Sequence, residues 1–512
     1  MLFNSYIFIF LFFPLVILGY FGLNHLKMYR TALAFLTIMS FWFYGSHSIR
    51  YLLILILSML INYGLVMLMD RLSQKTARLL CLWSGLLFNI GILFYFKYYD
   101  FFIDNLNTVT GGSLPLLRLV LPLGISFYTF QQLSYVIDAY RKDCERYSLL
   151  EYAAYVSFFP WVSMGPIVHH SEMIPQFRDP FRKTLCFSNM SKGLYGFSLG
   201  LAKKVLLADT FAKIVTIGYG DIGGLNTPSA LLVMLCYSLQ IYFDFSGYCD
   251  MAMGIGSMLN LELPINFNSP YKALSVTDFW SRWHMTLTRF FTRYIYIPLG
   301  GNRKGITRTC LNILIVFLIS GIWHGANWTF IVWGLLHGTV MVCERYAKYL
   351  RSRSAADSSA ASAAPAAKSA DSEKRRLQHF TPVKWLFTFV FVTFAWSIFR
   401  AESLPQVWQL WTQLFTGGFS SIYAPMTEAF GKLVEISFLY RLDFSGLMNA
   451  HTRLPVTVFT LSALLGCFCL KNTQEKTEAF TFCTGKILIV LVLMLWSIVS
   501  LSEISEFLYS NF

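Results

Sequence analysis

The chain has 512 residues, is 55% hydrophobic and only 13% charged, and has a mean hydropathy of +0.53. A soluble globular chain carries roughly 25% charged residues, so this one lacks the polar surface that a soluble fold of its length needs. Its net charge of +14 would suggest nucleic acid in a soluble domain, but the basic residues stand in short loops between apolar runs; that is the positive-inside pattern of a membrane protein, and nucleic acid is excluded as a partner.

A membrane span needs about 20 mainly apolar residues. Runs of that kind lie at 6–23, 51–69, 79–96, 230–243, 311–322, 328–342, 385–399, 456–470 and 487–501, the shorter ones completed by flanking aromatics. The expectation is an all-α, polytopic integral membrane protein with roughly 11–13 spanning helices plus re-entrant and interfacial ones. The first run has no basic residue before Lys27 and no small-x-small cleavage site, so it reads as a retained helix. Loops carrying Lys27 and Arg30, then Arg71, Lys75 and Arg78, then Arg141, Lys142 and Arg146 alternate with poorly basic ones. This alternation puts the N-terminus outside.

The middle third concentrates polar punctuation. Residues 121–141 embed Gln131, Gln132 and Asp138 in an aromatic stretch. Residues 158–170, FFPWVSMGPIVHH, read as a re-entrant hairpin rather than a span. His169 and His170 are neighbours and cannot share a helix face, and no further ligand stands at a metal-site spacing, so no metal is assigned. Residues 240–256 place Asp244 and Asp250 among apolar residues, and ionisable groups at that depth usually face a protein interior or a water-filled cavity. The ten cysteines show no zinc spacing and read as small buried hydrophobes without a disulfide.

The segment 277–305 has helical spacing. Trp280, His284, Leu287 and Phe291 form one stripe, and Asp278, Arg282, Arg289 and Arg293 form another. One amphipathic helix is expected, its Arg face either on lipid phosphates or on the phosphates of a cofactor such as coenzyme A. His284 then points into protein. Further on, His324 sits between Trp323 and Gly325 at the junction of two apolar runs. Imidazole is easily poised near neutral pH and can take the proton of an attacking hydroxyl; the alternative is a hydrogen bond to a carbonyl at a helix break. Asn327 is placed to orient a group or donate to an oxyanion. His337 lies on another helix face and reads as structural. There is no Gly-x-Ser-x-Gly elbow, and neither GIG at 254–256 nor GG at 300–301 leads into a phosphate loop. Residues 351–376 are Ala/Ser-rich and charged, flanked by basic residues, and are expected to form a disordered cytoplasmic insert.

Five ordered blocks carry a resemblance: PLGISFYTFQQLSYVIDAYR, YFDFSGYCDMA, DFWSRWHMTLTRFF, YIPLGGNRKG and GIWHGANWTFIVWG. Together they resemble the membrane-bound O-acyltransferase family, in particular its bacterial branch of alginate O-acetylation and D-alanyl transfer membrane proteins. The similarity runs over residues 1–345 and more weakly over 380–512, which read as two parts of one domain around the insert. The resemblance implies helices around a central channel, with His324 and His284 catalytic; the residue reading adds Trp323, Asn327, Arg282, Asp278 and Asp244 as supporting or substrate-binding. The resemblance also implies acetyl-CoA or a similar acyl thioester as donor, with no permanently bound cofactor. The acceptor implied is an extracytoplasmic polysaccharide hydroxyl, with a periplasmic serine-hydrolase-like acetyltransferase as partner. The location is the bacterial inner membrane. The basic stretches 303–308 and after Glu344 put His324 nearer the outer side. A flippase of glycan or acyl intermediates, or a non-catalytic scaffold, is the competing reading.

Overall fold

The computed structural model describes residues 1–361, 381–433, 454–501 and 507–508. Their regular structure is helical, with one isolated β-bridge, Phe267 to Trp283, and no strand among the described residues. Among the described residues, six helices are long and apolar enough to cross a bilayer: Phe8–His25, Ile49–Arg71, Lys75–Thr110, Thr227–Met258, Gly305–His324 and Thr381–Arg400. Leu454–Cys469 and Thr484–Val499 are apolar but shorter. The larger sequence-based count is reached only with helices such as Tyr29–Gly45, Ile125–Arg141 and Trp328–Ala361, which fall short of that length or apolarity.

The chain forms two compact units. The first comprises Met1–Asp209, Tyr242–Ile265 and Thr473–Phe512. Lipid-facing helices cannot rely on water to drive them together, so close packing and interhelical hydrogen bonds must do so, at about 0.6 kcal/mol per bond. Both devices are present. Asn62 Nδ2 donates to Gln132 Oε1 at 2.8 Å, Asn89 Nδ2 to Asn62 Oδ1 at 2.6 Å, and Gln132 Nε2 to Ser58 Oγ at 2.8 Å. The helix Phe187–Ala202 meets the second half of Thr227–Met258 through paired glycines. A β-carbon on Gly200 would stand 2.6 Å from the Gly247 carbonyl, and one on Gly193 2.5 Å from that of Gly254. Lys203 and Lys204, in the π-helical stretch Lys203–Ala208, form ion pairs with Asp250 at 2.6 Å and Asp244 at 2.7 Å. Residues 158–168 are non-helical yet almost wholly buried.

The second unit comprises Thr210–Ile241 and Asn266–Asn472. Its centre is a hairpin of Gly305–His324 and Trp328–Ala361. Gly321 lies against the Phe330 carbonyl and Gly334 against the Phe317 carbonyl, so the two backbones touch where any β-carbon would separate them. Trp328–Ala361 runs into the segment expected to be disordered. Residues 351–361 are helical, in keeping with the high helix propensity of their alanines, and 362–376 lie outside the described residues.

The expected single helix over 277–305 is not formed. Val276–Trp280 and Met285–Phe291 are separate short helices, and the chain between them turns at His284, whose backbone is left-handed with φ +46°. The following residues pass through a π-helical stretch, Thr292–Tyr296, into turns. The stripe spacing continues across the break because the cause is remote: Asn268 N–H donates to the Arg282 carbonyl at 2.9 Å, and Met285 N–H to the Asn266 carbonyl at 3.0 Å.

Candidate active site

His284 is fully buried and held by Asn266. Asn266 Oδ1 receives the Thr286 N–H at 3.2 Å, the Thr286 hydroxyl at 3.0 Å, and His284 Nδ1 at 3.1 Å. A backbone N–H can only donate, so the atom it meets is the amide oxygen, and His284 Nδ1 must carry its proton. Burial pushes the imidazole down to about 3, well below its ordinary 6.5, because charging it there would strip its hydration. The ring is therefore neutral, and Nε2 holds the lone pair. A left-handed backbone at a non-glycine residue costs roughly 1–3 kcal/mol and persists where its surroundings over-determine it, commonly at functional sites.

His324 ends the helix Gly305–His324 and is followed by Gly325 in extended backbone. Its buried ring lies 4.8 Å from Trp323, 5.1 Å from Trp333 and 5.2 Å from Phe399, all edge-on. Trp323 is also 6.2 Å from His284, so one indole stands between the two imidazoles. The structure thus brings His284, Trp323 and His324 together.

The other expected site residues fall elsewhere. Asn327 is committed to the fold: its Oδ1 accepts the Thr329 N–H at 3.0 Å at the start of the next helix, and its Nδ2 donates to the Glu402 carbonyl at 2.8 Å. Its oxygen and one of its two amide hydrogens are thereby used by the fold. Arg282 and Asp278 pair with each other at 2.7 Å in a partly exposed position. Asp244 belongs to the first unit, where it accepts Lys204 and the Leu508 N–H.

His337, expected to be structural, joins this cluster: it is buried 5.0 Å from Trp333, the indole that also packs on His324. Trp280 Nε1–H donates to its Nδ1 at 3.1 Å, which leaves the proton of the neutral ring on Nε2. That Nε2 and the indole nitrogens of Trp333 and Trp396 are buried without a hydrogen-bond partner among the described residues. Leaving a buried donor unpaired costs about 1–3 kcal/mol, so a group of them calls for an explanation such as catalysis. The spacing to His324, 13 residues across a hairpin turn, gave no helical-face signal.

A cavity of about 1320 Å³ adjoins this cluster. Trp280, Leu287, Phe291 and Phe317 line its apolar part, and Arg345, Lys348, Arg351 and Lys384 its basic part. Phe291 packs 6.5 Å from Trp323, and Trp280 separates the cavity from His337 at 5.2 Å. Glu344, among these cations, is already engaged: it accepts the backbone N–H groups of Val276 and Thr277 at 2.8 and 2.9 Å.

The family model for membrane-bound O-acyltransferases (MBOAT) matches residues 27–367. The chain belongs to the membrane-bound O-acyltransferase family. It is accordingly a multi-pass membrane protein and an O-acyltransferase. A peptidoglycan O-acetyltransferase of Helicobacter pylori is 38% identical over 100% of this chain and 98% of its own length. A probable alginate O-acetylase of Pseudomonas aeruginosa is 36% identical over 82% of this chain and 75% of its own. The teichoic acid D-alanyltransferase of Bacillus subtilis is more distant, 26% identical over 44% of this chain and 59% of its own.

Proposed function

We propose that this acyltransferase works in the bacterial inner membrane, taking acetyl from a cytoplasmic thioester such as acetyl-CoA and passing it to an extracytoplasmic hydroxyl. The purpose is O-acetylation of an envelope glycan. The observation that carries this reading is the pair of imidazoles about Trp323, next to a cavity with an apolar interior and a basic lining. Guanidinium and ammonium groups suit the phosphates of a donor, and the apolar part suits its acyl-bearing arm.

In this reading His324 takes the proton of the acceptor hydroxyl as the oxygen attacks the thioester carbonyl. The carbon–sulfur bond breaks, and the proton passes to the departing thiolate. His284 offers a lone pair at Nε2, so it accepts a hydrogen bond from the hydroxyl or from protonated His324 rather than donating to the carbonyl. The N–H groups of His337, Trp333 and Trp396 are the donors suited to the carbonyl oxygen. The end-to-end relative named for peptidoglycan makes that polymer the first acceptor to try, and alginate-like glycans the second. A periplasmic serine-hydrolase-like acetyltransferase completes delivery.

The test is acetyl transfer from radiolabelled acetyl-CoA by reconstituted protein, with and without a periplasmic partner. Label should leave CoA only with protein carrying His324, and His324→Ala should fall to near background at matched amounts. Full acetylation with His324→Ala would instead support a scaffold, and glycan movement without thioester turnover a flippase.

A further inference from the structure

The first unit holds a second group of imidazoles that the acyl-transfer chemistry does not use. Asp138 stands one turn before the end of the helix Ile125–Arg141. His169 closes the buried non-helical run, and His170 opens the helix His170–Arg178. The sequence separates Asp138 from the histidines by about thirty residues, and for that reason no third ligand was visible in it. In the fold, one carboxylate oxygen, Asp138 Oδ2, lies 2.9 Å from His169 Nε2 and 3.2 Å from His170 Nε2. All three ligand atoms lie within 4.8 Å of one another.

The geometry points to a divalent metal site of the zinc class, held by Asp138, His169 and His170 with water at the fourth position. Ligands on a tetrahedral ion at about 2.0–2.1 Å are separated by roughly 3.3–3.4 Å; the His170 distance of 3.2 Å matches that edge, and the His169 distance of 2.9 Å would open slightly around an ion. The outer nitrogens are also arranged as ligating histidines require. His170 Nδ1 lies 3.0 Å from the Tyr147 hydroxyl and His169 Nδ1 2.6 Å from Ser171 Oγ, while His169 Nδ1 also meets the Ser171 backbone N–H at 3.3 Å and so must turn donor toward Oγ when a metal takes Nε2. Such outer partners fix the ring and the tautomer that directs Nε2 at a metal. Two imidazoles and one carboxylate favour zinc-like ions over magnesium or calcium, which prefer all-oxygen shells. Asp138 and His170 are completely buried, while the His169 side chain is 12% exposed, which leaves one edge for entry and for the water.

The site has a structural task. It ties the buried irregular backbone before His169 to the end of the helix Ile125–Arg141, where helical hydrogen bonds cannot reach. Metal affinity at such a junction becomes folding stability.

The experiment uses the full chain purified in detergent, stripped with a chelator and reloaded with Zn²⁺ or Co²⁺. The expected result is one ion per chain by elemental mass spectrometry, visible absorption from bound Co²⁺, and a rise in unfolding temperature on reloading. Asp138→Asn and His169→Ala should each lose the ion and the rise. The Co²⁺ spectrum of the unmutated protein keeps the test valid if a variant folds poorly. In the metal-free alternative, Asp138 simply accepts both Nε2–H groups, and the Ser171 backbone N–H, 3.3 Å away, serves His169 Nδ1. Stripped protein that takes up no ion and does not gain stability would overturn the metal site in favour of that hydrogen-bonded hub. So would unchanged binding in both variants. Neither readout depends on acetyl transfer, so this outcome stands apart from the test of His324.

Discussion

The two units bury histidine in opposite ways. In the second, His284, His324 and His337 sit among indole and phenyl rings; His284 meets a neutral amide and His337 an indole N–H. In the first, His169 and His170 converge on one carboxylate. The same side chain is thereby given two chemistries. An imidazole kept neutral by aromatic walls and an amide can receive a proton during a reaction. An imidazole directed at a carboxylate is matched to a fixed positive charge. Two lysines of the first unit, Lys203 and Lys204, are likewise each paired to an aspartate.

The sharpest way to break this comparison is to remove one imidazole from each group. His324→Ala should cut acetyl turnover by about 10²–10⁴-fold, the usual worth of a general base, with little change in unfolding temperature. His170→Ala should do the reverse, lowering the unfolding temperature while the surviving folded protein keeps most of its turnover. Matched activity and thermal-unfolding measurements decide, and a rate loss for His170 as large as that for His324 would erase the distinction.

A smaller effect is expected at Asn266, which keeps the His284 ring in its Nδ1–H form. Asn266→Leu strands the Thr286 N–H and frees the ring to rotate, so turnover should drop about tenfold and stability by about 1–3 kcal/mol. Asn266→Asp retains an acceptor and should recover much of the stability. Smaller again, Lys348→Ala with Arg351→Ala should raise the KM for acetyl-CoA several-fold at unchanged kcat, and added salt should narrow the gap to wild type. Smallest of all, deleting 354–372 touches neither group of histidines. O-acetyl content should stay within about twofold at equal expression, since loop closure depends weakly on length.

These features were unequally legible in the chain. Apolar runs announced the spans because a bilayer demands length and composition that few other settings do. His324 was marked by its glycines and by the ordered blocks around it. The break at His284 was hidden, since helical spacing persists on both sides and the clamp at Asn266 is 18 residues away. The partnership of His324 with His337 passes through Trp333, and that of Asp138 with His169 spans 31 residues. Contacts of that kind are products of packing, and no local pattern encodes them. Asn327 shows a role that its position beside a candidate base did not announce: its oxygen serves the start of the next helix, as a helix cap does.

The helix Trp328–Ala361 has one more consequence. Its 34 residues make a rod about 51 Å long at 1.5 Å per residue. The apolar stretch 328–342 takes up about 22 Å of it, within a hydrocarbon layer of about 30 Å. The remainder forms a mast that carries Glu344, Arg345, Lys348 and Arg351 along its foot. His337, Glu344 and the cationic cavity wall therefore share one stiff body. A load applied at the tip, whether a bound protein or a tether to other machinery, acts as torque on the helix that holds His337 and on the carboxylate that caps Val276–Trp280.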